Sequence, residues 1–149
     1  MANLTADSVV ASAPIKSPAD KFFNFFRYNM NEIIKIFPAG FTGVELLEGE
    51  EGTVGCVKGW NYILGGIPLT ATEKIEAIDE GANSITFAVV EGDLLLLYKS
   101  FQATLTVSEG LAKWTFVFEK ATLLTPPPEL YVPLAITLCT LVDAFLLLN

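Results

Sequence analysis

The sequence predicts an α+β fold: seven antiparallel strands curved around a long C-terminal helix, with two short helices closing one end. Three observations carry this. Six strand-like runs separated by short glycine-containing or acidic turns fill the stretch from Phe41 to Ala121, and short connections favour an antiparallel meander. Each run has one apolar side under the period-two alternation of a strand. The segment from Glu129 to Leu148 is of helical length and almost free of charge, and a curved sheet with one apolar face needs such an element to cover it.

Taken in order, the first strand is expected at about Leu4 to Ala13. Ser17-Pro18-Ala19-Asp20 then reads as a helix start, with Ser17 as cap, Pro18 in the first helical position and Asp20 near the positive end of the helix. Phe22, Phe23, Phe25 and Phe26 make that helix short and aromatic. A second short helix is expected over Glu32 to Ile36, stopped by Pro38. The remaining strands are placed at Phe41 to Leu47, Cys56 to Leu64, Ile67 to Ile78, Ser84 to Val90, Leu95 to Val107 and Leu111 to Ala121.

The hairpin around Gly65-Gly66 is the most informative stretch. A Gly-Gly pair between two strand-like runs signals a two-residue turn. Centring it there opposes Leu64 to Ile67, Tyr62 to Leu69, Trp60 to Ala71 and Lys58 to Glu73. On that register Lys58, Trp60, Tyr62 and Leu64 share a face, and the returning strand answers with Ile67, Leu69, Ala71, Ile75 and Ala77, interrupted only by Glu73. Charge on an apolar face is costly unless paired, so Lys58 and Glu73 read as one opposed pair. Further along, Ile85, Phe87 and Val89 share a side, as do Phe101, Ala103, Leu105 and Val107, and then Trp114, Phe116 and Phe118. Lys113, Thr115 and Glu119 point away. Alternation alone leaves open whether these inward aromatics fill a core or wall a cavity.

Thr125-Pro126-Pro127-Pro128 stops the last strand. The helix that follows has a charge-free run from Leu130 to Val142, ended by Asp143, which is short for a bilayer span of about 20 residues. Helical phasing gathers Glu129, Thr140 and Asp143 on one side, with Tyr131, Leu134, Leu138, Leu141, Val142 and Phe145 opposite. It is therefore read as an amphipathic cover helix, and a membrane partner is disfavoured. Ile136 and Leu147 stay on the polar side, which suggests a homodimer through this helix or another hydrophobic partner.

The 149 residues are read as one domain, 1–149, large enough to bury about 70% of the unfolded surface. Hydrophobic residues make up 52% and charged ones 17%, so the fold must enclose much apolar surface or expose a patch. The net charge of -8 argues against nucleic acid and against anionic membrane surfaces. Cys56 and Cys139 lie far apart and there is no histidine, so no metal site is expected, and both cysteines are read as buried thiols. Met1 to Ser17 lacks the basic start and apolar centre of a secretory signal. The compartment is read as cytoplasmic. Gly49, Gly52 and Gly55 look at first like a phosphate-binding loop, but the segment is acidic, lacks a Gly-Lys-Ser/Thr ending and joins two strands, so it is read as a turn.

Four stretches together resemble the plant major latex proteins of the birch-pollen-allergen and pathogenesis-related class-ten superfamily: Glu48-Gly49-Glu50-Glu51-Gly52-Thr53-Val54-Gly55-Cys56-Val57-Lys58-Gly59-Trp60, Val90-Glu91-Gly92-Asp93-Leu94, Tyr98-Lys99-Ser100-Phe101-Gln102-Ala103-Thr104-Leu105, and Lys113 to Lys120. The match runs in order from about Ile15 to Leu148. The resemblance implies a helix-grip fold whose sheet surrounds a hollow for a small hydrophobic plant metabolite, with no cofactor. On that basis the ligand-binding residues are expected to be Lys58, Trp60, Tyr62, Glu73, Phe87, Phe101, Phe116, Leu134, Leu138 and Phe145. Relatives in the superfamily also condense, isomerise or cyclise alkaloid and iridoid precursors. Glu73 and Lys58 are therefore the catalytic candidates for a cofactor-independent cyclase or isomerase acting on a terpenoid enol or an alkaloid precursor. A positioned carboxylate contributes about 100-fold to 10,000-fold to a proton transfer, and Tyr62 can donate to a carbonyl or enolate. Carrier, enzyme and interaction module all stay open at this point, because function lives in the site and not in the fold.

Overall fold

A computed structural model describes residues 6–125 and 128–149 of the chain. Strand β1 (Ala6–Pro14) is followed by α1 (Ala19–Tyr28), a 3-10 turn (Met30–Glu32) and α2 (Ile33–Ile36). Then come β2 (Phe41–Glu48), β3 (Val57–Leu64), β4 (Ile67–Asp79), β5 (Ser84–Gly92), a second 3-10 turn (Asp93–Leu96), β6 (Tyr98–Ser108), β7 (Leu111–Lys120) and α3 (Tyr131–Leu148). The seven strands form one antiparallel sheet in the order β1-β7-β6-β5-β4-β3-β2. Strands β2 to β7 are a meander, and β1 closes onto the far edge beside β7. Register shifts interrupt the β2–β3, β4–β5 and β6–β7 ladders. Such bulges bend and twist a sheet, and here the curved sheet surrounds the long C-terminal helix.

The Gly65-Gly66 hairpin has the expected register at every pair, Lys58 opposite Glu73 included. Both glycines hold positive φ, 58° and 81°, as a type I′ turn requires. Inward alternation puts Trp60, Tyr62, Ala71, Ile75, Phe87, Phe101, Leu105, Trp114, Phe116 and Phe118 in the core. All four phenylalanines of α1 are buried with them, and both cysteines are free, buried thiols.

Several boundaries and faces differ from the sequence expectation. Leu4 and Thr5 of the expected first strand, and Pro126 and Pro127, lie outside the described residues. Ser17 does not cap α1: its hydroxyl donates to Asp143 Oδ1 at 2.6 Å, Pro18 occupies the cap position, and the free N–H of Ala19 donates to Glu109 at 2.9 Å. Ala77 is exposed, because the shift between Ile75 and Ala77 turns the alternation over. The sixth strand starts at Tyr98 and not at Leu95. Gly92, at φ 116°, redirects the chain, and Asp93 accepts from both the N–H and the hydroxyl of Thr70, which tucks the second 3-10 turn against β4.

The largest correction concerns α3. Asp143 is buried, not part of an outward polar stripe, because its carboxylate receives the backbone N–H of Lys16 and of Ser17 as well as the Ser17 hydroxyl. The outward face is instead uncharged, with Pro133, Ile136, Thr137, Thr140, Ala144 and Leu147 exposed. By length and composition α3 suffices to cross a membrane. In this structure its other face, from Tyr131 through Leu138 and Val142 to Leu146, lies in the core.

Candidate functional site

Between the concave face of the sheet and the first half of α3 lies a hollow of about 690 Å³, counting the part open to solvent. Strands β3, β4 and β5 contribute Trp60, Tyr62, Ala71, Glu73, Phe87 and Val89 to its wall, and β6 and β7 contribute Phe101, Ala103, Trp114 and Phe116. Tyr131, Leu134, Ala135 and Leu138 form the side given by α3, and Met30, Phe41 and Leu94 fill the gaps. Strand alternation and the helical spacing of Tyr131, Leu134 and Leu138 turn these side chains toward one another. The wall is almost wholly apolar, and Glu73 is its only charged residue among the described ones.

A smaller pocket of about 270 Å³, again counting the part open to solvent, adjoins it under the end of α1. It shares Met30, Trp60, Glu73 and Phe87 with the hollow and adds Phe26, Arg27, Cys56, Lys58 and Ile75. Glu73 therefore faces both spaces. Among the described residues its carboxyl has no ion pair and no hydrogen-bonding partner. Burial pushes its pKa up to about 7, with the positive charge of Lys58 acting in the opposite direction. An enclosed carboxyl without donors favours its neutral form.

Lys58 lies across from Glu73 as the hairpin register requires, but the two do not form the expected ion pair. Lys58 Nζ sits 2.7 Å from Glu51 Oε2 and donates to Asn31 Oδ1 at 2.8 Å. The cause is the loop at residues 49–56, which folds back over α1. Arg27 Nε donates to the Gly52 carbonyl at 3.0 Å, and Gly52 lies so close under Tyr28 that a Cβ there would meet the ring at 2.4 Å. This glycine delivers Glu51 to Lys58. The other neighbouring cation, Arg27, is engaged by Glu80 at 2.5 Å.

The hydroxyls of Tyr62 and Tyr131 hydrogen-bond to each other across the hollow, tying the first turn of α3 to the sheet. Burial pushes the Tyr62 pKa up to about 12, although the Tyr131 hydroxyl opposes the shift, and burial also raises Tyr131. Both are neutral donors at ordinary pH. Among the described residues no group of three or more His, Cys, Asp or Glu side chains is placed to hold a metal ion.

Of the residues expected from the sequence, Trp60, Tyr62, Glu73, Phe87, Phe101, Phe116, Leu134 and Leu138 line the hollow. Lys58 lines only the adjoining cavity. Phe145 lines neither: its ring packs edge-on against Phe25 at 6.0 Å, because the inner face of α3 at that level meets α1 and not the hollow. Tyr131 shares the helical phase of Leu134 and Leu138, a signal that could have found it. Met30 and Leu94 sit in 3-10 turns that carry no periodic signal, and nothing local marks Asn31 or Glu51 as partners of Lys58.

The sequence matches the pathogenesis-related protein Bet v 1 family over residues 4–149. It is similar to MLP-like protein 34 of Arabidopsis thaliana, 35% identical over 96% of this chain and 47% of the relative. It is also similar to major latex protein 146 of Papaver somniferum, 37% identical over 83% of this chain and 80% of the relative. The chain spans about half the length of the first Arabidopsis relatives it matches. The crystal structure of major latex-like protein 151 from Panax ginseng superposes with a TM-score of 0.91 at 33% identity, covering 95% of this chain and 97% of that one. A seven-stranded sheet gripping one long helix, a hollow between them and a match over nearly every residue lead to one conclusion: the chain belongs to the Bet v 1 family, among proteins like the major latex proteins.

Proposed function

We propose that this chain binds a small hydrophobic plant metabolite in the hollow between its sheet and α3. The observation that carries the reading is the wall: a continuous apolar surface of aromatic and aliphatic side chains, in which Glu73 is the one charged group among the described residues and the Tyr62–Tyr131 pair supplies the hydroxyls. Concave apolar sites with a few convergent polar groups are where small molecules bind. Apolar surface supplies affinity, and the polar groups fix orientation.

A second reading is favoured by one specific observation, the unpartnered Glu73 carboxyl. A group that titrates near neutrality and faces a ligand space is suited to take and return a proton. In this reading the hollow folds a terpenoid or alkaloid precursor into a near-reactive shape and excludes water, and Glu73 moves the proton during cyclisation or isomerisation. Lys58, held by Glu51 and Asn31, acts on Glu73 only through its charge.

The test of binding is titration with Nile red, expected to bind one to one and to be displaced by terpenoid-sized compounds. Leu138→Trp fills the hollow from α3 and should abolish the signal, whereas unchanged affinity in a folded variant would place the site elsewhere. For the second reading, turnover of reactive terpenoid and alkaloid precursors is compared with Glu73→Gln, which should slow product formation more than it weakens binding. Full activity in that variant leaves shape alone as the catalyst.

A further inference from the structure

We infer that the hollow selects ligands that carry a single ammonium group on an apolar body, with the cation seated against Glu73 and the surrounding aromatic faces. The inference rests on the reading of the hollow as a ligand site and adds the chemical class of the ligand.

The argument begins with what Glu73 lacks. Its carboxyl faces the hollow without a hydrogen bond or ion pair among the described residues. Both cations near it are committed elsewhere, Lys58 to Glu51 and Asn31 and Arg27 to Glu80 and the Gly52 carbonyl. The Tyr62 and Tyr131 hydroxyls are turned to each other. From β5 the residue opposite Glu73 is Val89, which brings no charge, and Cys56 is the remaining titratable group in the adjoining cavity. The protein thus places a half-buried carboxyl between an apolar hollow and a cavity that holds Lys58 and Arg27, and among the described residues no counter-charge touches it.

Such a group is tolerated as a neutral acid, and it ionises when a cation arrives. Two rings beside it can meet that cation, although Lys58 Nζ already lies 6.0 Å from the centre of the Trp60 ring. Trp60 and Phe87 line both spaces with Glu73, and aromatic faces attract ammonium groups, more strongly once water is excluded. A neutral donor such as an alcohol gains only one ordinary hydrogen bond there. An ammonium gains a charge-assisted one and the ring faces together.

Proton linkage gives this a distinctive signature. Burial raises Glu73 to about 7, so below neutrality binding of an ammonium must release its proton, and affinity for an amine should rise about tenfold per pH unit until it levels above pH 7. A neutral ligand favours the protonated carboxyl, so its affinity should be level or fall as the pH rises through the same range.

The experiment compares adamantylmethylamine with adamantylmethanol, two bodies of one shape, by calorimetric titration of the full chain from pH 5 to 8.5. The amine should bind about tenfold tighter at pH 8, show the rise with pH and release a proton below pH 7, and Glu73→Gln should bring the two affinities together. Equal affinities at pH 8, or an amine preference that survives Glu73→Gln, would overturn the inference. The wild-type pH profile tests the same point without any variant: an amine affinity that stays level from pH 5 to 7 overturns it. If only the alcohol binds, the hollow remains a ligand site and the amine class is wrong. If neither probe binds and Nile red also fails, the site reading falls and the inference with it.

Discussion

Asp143 and Glu73 are both carboxyl groups drawn into the protein, and they are driven to opposite states. For Asp143, burial pulls the pKa up, but the Ser17 hydroxyl and the N–H groups of Ser17 and Lys16 outweigh it and hold the carboxyl below its ordinary value. For Glu73 burial meets no hydrogen-bond donor among the described residues, only the opposing charge of Lys58, and the pKa climbs to about 7. Burial pushes both upward, and only at Asp143 do the donors aimed at the oxygens reverse it. One carboxylate serves as a structural clasp between α3 and the start of α1, and the other faces the hollow without a hydrogen-bonding partner among the described residues.

Removing the clasp should have the largest effect. Asp143→Ala leaves two backbone N–H groups and a buried hydroxyl without their acceptor, and we predict a loss of about 3 kcal/mol in urea denaturation. Because the folded pKa lies below the unfolded one, this contribution is present above the unfolded pKa and fades as the pH falls through the folded one. A loss under about 1 kcal/mol would mean that the clasp holds little.

Glu73 should behave in the opposite sense. Its folded pKa of about 7 stands above the ordinary 4.5, so the folded state holds a proton that the unfolded state has released between those values. Stability should therefore decline as the pH rises from about 4.5 to 7 and stay level beyond. Glu73→Gln should remove that decline and stabilise the protein at pH 8 by about 3 kcal/mol, with almost no effect at pH 4.5. Melting curves across this range check it, and a variant less stable than wild type at pH 8 would contradict it.

The smallest effect sharpens the contrast at Lys58. A double-mutant cycle of Lys58→Met with Glu51→Gln should give a coupling of about 1 kcal/mol, the upper end for a partly exposed pair. The cycle with Glu73→Gln should give less. A larger coupling to Glu73 would show that Lys58 turns to its cross-strand neighbour in solution.

How much of this is legible in the sequence follows from the range of each signal. The hairpin register can be read because Gly65-Gly66 fixes it locally, and the inward faces because alternation is a property of each strand. Alternation fails at the bulge after Ile75, where β4 and β5 lose step. The opposition of Lys58 and Glu73 is local and correct, but the true partner of Lys58 arrives on a loop whose course is set by Arg27, Tyr28 and Gly52. A lone acid on an apolar helix normally faces water, which is why the sequence alone puts Asp143 outside. Its partners lie 126 and 127 positions away, and no periodicity reports them. Phe145 has the right phase on α3, yet phase does not say which neighbour occupies each level of the helix.

The clasp also bears on the order in which the molecule is built. Strand β1 reaches its place only beside β7, and Ser17 meets Asp143 only when α3 docks. Both events join distant parts of the chain, so their loop-closure entropy must be overcome before their contacts contribute, and such topologies fold slowly. Until α3 settles, the meander stands open with its aromatic face toward water, a species prone to associate. We predict that the hollow comes into being at that last step. In stopped-flow refolding, Nile red fluorescence should rise together with the slowest protein phase. A dye signal that runs well ahead of it would show the hollow to be formed before its cover.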